Sequence, residues 1–281
     1  MPLEIDLHII KDALAEDIGT GDATTLATVP ADATASAVMV ARAPLGVCGV
    51  PLAEAVFRAI SPELDLTPTA IDGQRVAGGQ SLLKIRGSAR AILTAERVAL
   101  NFAQRLSGIA TITARFVEAV AGTGAQILDT RKTTPGWRAL EKFAVACGGG
   151  VNHRFGLYDG ILIKDNHLAA MRHEPPNAIA AAVRRSREAY PKLRVEVEAD
   201  TLEQAAQARD AGADIILLDN MPNEMLREAV RLIDKKAKTE ASGGVNLATV
   251  RGMAETGVDF ISVGALTHSA PAVDIALDWE T

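Results

Sequence analysis

From about residue 120 onward the chain follows one rhythm. Short apolar runs at 126–129 (QILD), 161–164 (ILIK), 194–198 (RVEVE), 214–219 (DIILLD), 238–241 (KTEA, the weakest) and 259–264 (DFISVG) alternate with stretches of helical spacing. The last four recur every twenty-odd residues, the signature of a βα repeat. Strands this apolar, separated by helices, belong to a parallel sheet covered on both faces. At least six such units predict an α/β barrel, with an open doubly wound sheet as the alternative. Two helix starts are written in the repeat: Thr201 with Gln204 fits a capping box, and Pro222 suits a first helical position.

The first hundred residues follow a different pattern. Apolar positions at helical spacing (Ile5, Ile9, Leu14) predict a helix over 4–16 that ends near Gly19. Between 34 and 87, the runs SAVMVA, LDLTPTA and SLLKIRG are divided by Gly and Pro, which predicts strands, with a helix over 51–60. A longer helix is expected over 94–107, with Val98, Phe102 and Leu106 on its apolar face and Arg97, Asn101, Gln104 and Arg105 on its polar one. The boundary between the two patterns falls near 105–120, without a clear linker.

The composition is that of a globular chain: 281 residues, 48% hydrophobic, but only 4% aromatic, so packing must rest on Ala, Val, Leu and Ile. The two cysteines, Cys48 and Cys147, lack CxxC spacing, which argues against a disulfide framework or a Cys-based zinc site and fits a reducing compartment. No run reaches the length of a membrane span, and the start, MPLEIDLHII, carries acids where a signal peptide carries bases. A cytoplasmic location is expected. The net charge of −6 discourages a nucleic-acid ligand, yet residues 131–164 hold six Lys/Arg (Arg131, Lys132, Arg138, Lys142, Arg154, Lys164) against Glu141 and Asp159. A basic island in an acidic chain points to a small anionic ligand.

Ligands of α/β barrels gather where the strands end. The residues there are Asp129, Thr130, Arg131 and Lys132; then Lys164, Asp165, Asn166 and His167; then Glu198; then Asp219 and Asn220; then Ser242, Gly243 and Gly244; and last Gly264, Ala265 and Leu266. Structural caps would account for one or two of these residues. They do not account for cations on early strands, acids on middle strands and glycines on late ones. Glycine-rich turns expose backbone N–H groups that bind phosphate. Glu198 and Asp219, on neighbouring strands, are the oxygen ligands Mg²⁺ takes alongside substrate phosphates, although helix capping is a competing use for such acids. Arg131, Lys132, His153, Arg154 and Lys164 would repel one another unless a polyanion joined them.

The segments EDIGTGDATT (16–25), LNFAQRLSGIAT (100–111), DTRKTTPGWRALEKFAVACGGGVNHRFGLYDGILIKDNH (129–167), LLDN (217–220), ASGGVN (241–246) and VGALTHS (263–269) resemble the quinolinate phosphoribosyltransferases, the carboxylating nicotinate-nucleotide pyrophosphorylases of NAD biosynthesis. The likeness spans almost the whole chain. It implies an N-terminal α/β sandwich domain (1–110) followed by an incomplete α/β barrel of about six parallel strands (111–266), with residues 267–281 returning to the first domain. It implies that quinolinate and phosphoribosyl pyrophosphate are the substrates, with Mg²⁺ as cofactor. By motif match, Arg131, Lys132, His153, Arg154 and Lys164 would line the dicarboxylate pocket, and Thr130 would also bind substrate. Glu198 and Asp219 would serve Mg²⁺ and the ribose, and Ser242, Gly243, Gly244, Gly264, Ala265 and Leu266 would hold the 5-phosphate. The resemblance also implies a homodimer in which Arg97 reaches the neighbouring subunit's site.

The expected chemistry, with Lys132, Glu198 and Asp219 as catalytic residues, has two steps: pyrophosphate release, with Mg²⁺, Glu198 and Asp219 stabilising the developing charges, then decarboxylation, with Lys132, His153 or a water supplying the proton. Two other readings stand beside it. One is a Schiff-base aldolase using Lys164, which leaves the arginines and the acid pair without a purpose. The other is an anion-binding module like the molybdenum-transport-associated homologue; the NHRFGLYDGILIKDNH segment favours the enzyme.

Overall fold

A computed structural model describes residues 7–280, and among these described residues there are twelve strands and eleven helices. The strands are β1 (Thr34–Ala41), β2 (Leu45–Gly46), β3 (Asp65–Pro68), β4 (Arg75–Val76), β5 (Ser81–Ser88), β6 (Gln126–Leu128), β7 (Ile161–Ile163), β8 (Val195–Ala199), β9 (Ile215–Asp219), β10 (Lys238–Ser242), β11 (Phe260–Ser262) and β12 (Ile275–Glu280). The opening residues on which the signal-peptide reading rests, and the first part of the expected 4–16 helix, lie largely outside the described residues. From Leu7 that helix runs to Ile18, beside the expected Gly19.

The chain divides into two compact units. The first holds residues up to Ala114, Ala139–Gly149 and the segment from Ala270. Its main sheet is antiparallel with strand order β12-β1-β5-β3, and a small β2-β4 pair completes it. The last strand of the chain therefore lies beside the first strand, Ser36 opposite Glu280 and Ala41 opposite Ile275. Alternation along β5 buries Leu83 and Ile85 and turns Lys84 and Arg86 outward, while Leu82, where the register with β1 shifts, is buried as well. The helix Val50–Ile60 contributes Leu52, Ala53, Val56 and Phe57 to the core, all fully buried.

The helix expected over 94–107 is longer and spans Ala89–Ala119. Its apolar stripe continues through Ile109, Ala110 and Phe116. Ser107 and Gly108, at and just past the expected end, are points of close approach. A Cβ on Gly108 would lie 2.1 Å from the Pro271 carbonyl oxygen, and Ser107 Oγ bonds the backbone of Cys48 on both its N–H and its C=O.

The second unit holds Arg115–Arg138 and Gly150–Ser269. It carries a six-stranded parallel sheet in the order β6-β11-β10-β9-β8-β7. From β7 to β11 each strand steps one place in the same direction. Right-handed crossovers then put every connecting helix on one face, so the sheet curls toward a barrel instead of being doubly wound. Consecutive helices accordingly pack side by side: Ala178–Ala189 on Leu202–Asp210, and that helix on Asn223–Ile233. Among the described residues β6 and β7 do not pair; Val151 makes a lone parallel bridge to Leu128 there, so the barrel is incomplete.

The weakest apolar run, 238–241, is a full strand with Thr239, Glu240 and Ala241 buried. At the Leu202 helix, Thr201 Oγ1 accepts from Gln204 N, while Gln204 Oε1 reaches back to Asp200 N, one residue earlier than in a strict capping box. Pro222 sits at the N-cap, one residue before its expected place.

Candidate active site

Side chains along a strand alternate between faces, and in the second unit this alternation builds the site in two layers. The upper layer has one residue within two places of each strand end: Thr130, Lys164, Glu198, Asp219, Ser242 and Gly264. Two residues below, on the same face, are Leu162, Glu196, Leu217, Glu240 and Ser262. All of the upper layer, and all of the lower layer except Glu196, line one cavity of about 800 Å³. Arg131, Lys132, His153, Arg154, Asn220, Gly243, Gly244, Val245, Ala265 and His268 complete its wall.

The structure thus brings together thirteen of the fifteen residues singled out from sequence. The two it leaves out of the wall are Arg97 and Leu266. Arg97 is exposed on the long helix of the first unit, and Leu266 is fully buried, turned into the core below the Gly264 turn. Of the basic island, Arg131, Lys132, Arg154 and Lys164 reach the cavity. Arg138 instead bonds Thr133 Oγ1 and the Phe155 carbonyl, and Lys142 is buried in the first unit.

Fixed backbone holds the cationic wall in place. The fully buried Asp129 accepts from the Asn152 side chain (2.7 Å) and the His153 N–H (2.8 Å), tying the 152–154 segment to the end of β6. Thr130 Oγ1 accepts from Lys132 N, and Thr267 Oγ1 donates to the Lys132 carbonyl, so Lys132 is fixed from both sides. Arg154 donates through Nη1 to the Gly160 carbonyl. Burial and then the neighbouring Arg131 push the Arg154 guanidinium below its ordinary value, the direction expected where cations converge without their anion. Arg131 Nε is buried with no hydrogen-bond partner. At the start of the next helix His167 Nδ1 accepts from Lys164 N, and Lys164 Nζ pairs with Glu198 Oε2 at 2.6 Å.

The glycines opposite are obligatory for a geometric reason. Gly243 has φ +92°, and a Cβ there would lie 2.0 Å from Asn220 Oδ1. Asn220 is itself left-handed (φ 54°), donates its backbone N–H to the Ser242 carbonyl and its side-chain amide to Asp219 Oδ2. Open space lies above Gly244. The β9 and β10 ends therefore form one interlocked turn with room for a ligand over its backbone.

The lower layer was not anticipated. Glu196 and Glu240 are 4% and 1% exposed, and both face His153 Nε2, at 2.8 Å and 3.8 Å. Neither Glu240 oxygen has a hydrogen bond of ordinary geometry. Burial, then the charge of Glu196, pushes Glu240 up to about 8, against the opposing pull of His153, Ser262 and Lys164. A signal was present in the sequence: Glu196, Glu240 and Ser262 each stand two residues before the strand-end residue on the same face, polar in otherwise buried runs.

A parallel barrel whose strand ends carry a convergent cationic wall, two facing carboxylates and a glycine turn with free backbone defines the class: an enzyme acting on phosphate- and carboxylate-bearing small molecules. The comparisons narrow it. Residues 22–107 match the family model described as quinolinate phosphoribosyl transferase, N-terminal domain, and residues 109–278 match its C-terminal domain. The chain is 46% identical to the nicotinate-nucleotide pyrophosphorylase [carboxylating] of Mycobacterium leprae, covering 96% of this chain and 95% of that one. It is 42% identical to the probable enzyme of that name from Bacillus subtilis, covering 96% and 92%. The solved nicotinate-nucleotide pyrophosphorylase of Francisella tularensis superposes with a TM-score of 0.93 at 38% identity, covering 100% of this chain and 98% of that one. The chain belongs to the quinolinate phosphoribosyltransferase family.

Proposed function

We infer that this chain transfers the phosphoribosyl group of phosphoribosyl pyrophosphate to quinolinate, releasing pyrophosphate and carbon dioxide and forming nicotinate mononucleotide for NAD biosynthesis. The observation that carries the reading is one cavity in which Arg131, Lys132, Arg154 and Lys164 converge opposite Glu198, Asp219 and the Ser242–Gly244 turn. One carboxylate would leave most of those cations uncompensated; a dicarboxylate together with phosphate groups balances them.

The roles follow from position. Arg131, whose buried Nε lacks a partner, and Arg154 grip the ring carboxylates, with Lys164, His153 and Thr130 beside them. The backbone of Gly243, Gly244, Gly264 and Ala265, with the Ser242 hydroxyl, receives the 5-phosphate, and Leu266 supports that turn from below. The ring nitrogen displaces pyrophosphate at the anomeric carbon, and Glu198 and Asp219 face the developing positive charge on the sugar. The carboxylate beside the new cationic nitrogen then leaves as carbon dioxide, and Lys132, His153 or a water returns a proton to that carbon. The donor set also fits Mg²⁺, a hard ion held by one or two carboxylates plus phosphate: Glu198 and Asp219 would hold it, and it would neutralise the departing pyrophosphate.

We further read the working form as a cytoplasmic homodimer in which Arg97 completes the partner's cavity. Two facts support this: Arg97 is exposed, and it does not line the cavity of its own chain. Among the described residues no helix is long and apolar enough to cross a membrane.

The deciding assay is pyrophosphate release from phosphoribosyl pyrophosphate and Mg²⁺ with quinolinate or with nicotinate. Release with quinolinate alone is expected. Release with nicotinate alone would keep the transferase and remove the decarboxylation. For the dimer, mixing inactive Arg97→Ala with inactive Lys132→Ala chains should restore activity; no recovery would confine each site to a single chain.

A further inference from the structure

The first unit holds a second cluster of ionisable groups, one that the proposed reaction does not use. Cys48, in the loop before the Val50–Ile60 helix, and Cys147, at the end of the Arg138–Cys147 helix, are a third of the chain apart in sequence. In the structure their sulfurs and a carboxylate oxygen of Asp72 all lie within 4.8 Å of one another. Local packing produces the approach. The Cys48 backbone is fixed to Ser107 on both its polar groups, and Gly148 lies so close to the long helix that a Cβ would meet the Ala110 carbonyl at 2.5 Å. Asp72 Oδ1 accepts from Gly49 N and Val50 N, capping the Val50–Ile60 helix, while Oδ2 is buried with no hydrogen-bond partner.

We propose that Cys48, Cys147 and Asp72 form a binding site for a thiophilic divalent cation, Zn²⁺ in the first instance, sharing no residue with the catalytic cavity. Three ligand atoms of the soft and borderline types Zn²⁺ prefers converge, and Cys147 and Asp72 are only half-buried, which leaves a solvent side for a water as fourth ligand. Neighbouring ligands of a tetrahedral zinc stand about 3.5–3.8 Å apart, so the cluster needs to contract by on the order of 1 Å at most. Among the described residues no cation is paired with Asp72 to offset its buried oxygen.

Binding needs no oxidant: each thiol gives up its proton to solvent, and both thiolates and the carboxylate bind the ion. The sequence spacing that argued against a cysteine zinc site considered only local pairs, whereas this one is made by the fold.

The test uses the full chain, reduced and stripped with chelator, titrated with Co²⁺ and then Zn²⁺. Expected is one equivalent of thiolate-to-cobalt charge transfer in the near ultraviolet, abolished by Zn²⁺. It should be lost in Cys147→Ser and at least tenfold weaker in Asp72→Asn. The catalytic cavity has no thiols and cannot produce that band. In the unmutated chain Zn²⁺ should protect Cys147 from alkylation, a readout independent of how the variants fold. Absence of the charge-transfer band with both thiols reduced, or alkylation indifferent to Zn²⁺, would overturn the site. So would facile loss of both thiols to a disulfide in the presence of Zn²⁺. An Asp72→Asn band of unchanged affinity would overturn the three-ligand assignment.

Discussion

Asp72 in the first unit and Glu240 in the second are both acids raised by burial, both with carboxylate oxygens that no hydrogen bond satisfies. Their surroundings differ. Asp72 is offset by two backbone N–H groups at a helix start and sits beside two thiols. Glu240 is offset by His153 and Lys164 and opposed by a second carboxylate, Glu196. The contrast shows what an unsatisfied buried acid means. Beside a backbone cap it has a structural task and one oxygen to spare. Under a floor of cations it sets the charge on which a ligand will rest.

If that contrast is right, disturbing the cavity around Glu240 should alter catalysis, and disturbing Asp72 should alter stability and metal binding but not catalysis. The largest effect is expected from Glu198→Ala: turnover should fall by about a hundredfold, the scale of a lost transition-state electrostatic partner, and the Mg²⁺ dependence should flatten. An unchanged metal titration would remove Glu198 from that role. Arg131→Ala comes next. Losing a charge-assisted bond costs about 1.5–3 kcal/mol, so the KM for quinolinate should rise about ten- to a hundredfold with a smaller change in kcat. Near-normal kinetics would exclude Arg131 from the site.

Glu240→Gln sharpens the comparison through pH. Glu240 is raised to about 8 in the folded chain, from an ordinary 4.5, so between these values the folded state holds a proton that the unfolded state has released. Its contribution to stability is full below about 4.5 and is lost as pH rises through about 8. The unmutated chain should therefore lose melting temperature across that window, and Glu240→Gln should lose less and melt higher at pH 8. Parallel curves would show that Glu240 is ionised throughout. The smallest effect belongs to Asp72→Ala: loss of one helix cap, about 1 kcal/mol in denaturant unfolding, with pyrophosphate release unaffected. A loss of activity there would erase the distinction between the two clusters.

Much of this architecture was legible in the order of residues, because apolar runs divided by helices leave a parallel sheet little freedom. The upper layer of the site was legible for a related reason: a charged residue at the end of an apolar strand is conspicuous. The lower layer was not, since Glu196 and Glu240 sit inside the strands and make β10 look like a poor one. The strand is held by burial and pairing on both sides, which outweigh the low β-propensity of Lys238 and Glu240. The helix expected to stop at 107 in fact continues; Ser107 and Gly108 make close contact with Cys48 and Pro271, which sequence distance conceals. Cys48 and Cys147 were obscured by the same non-locality.

The position of β12 bears on how the molecule is made. Its partner β1 leaves the ribosome early, whereas Ile275–Glu280 is synthesised only after the entire second unit. At roughly 5–20 residues per second the sheet edge at β1 waits on the order of 10–50 s for its neighbour. During that interval an unpaired row of N–H and C=O groups faces the cell, the template on which strands of other chains can add. Nascent chains of this protein should therefore need guarding until Ile275–Glu280 emerges and pairs with β1.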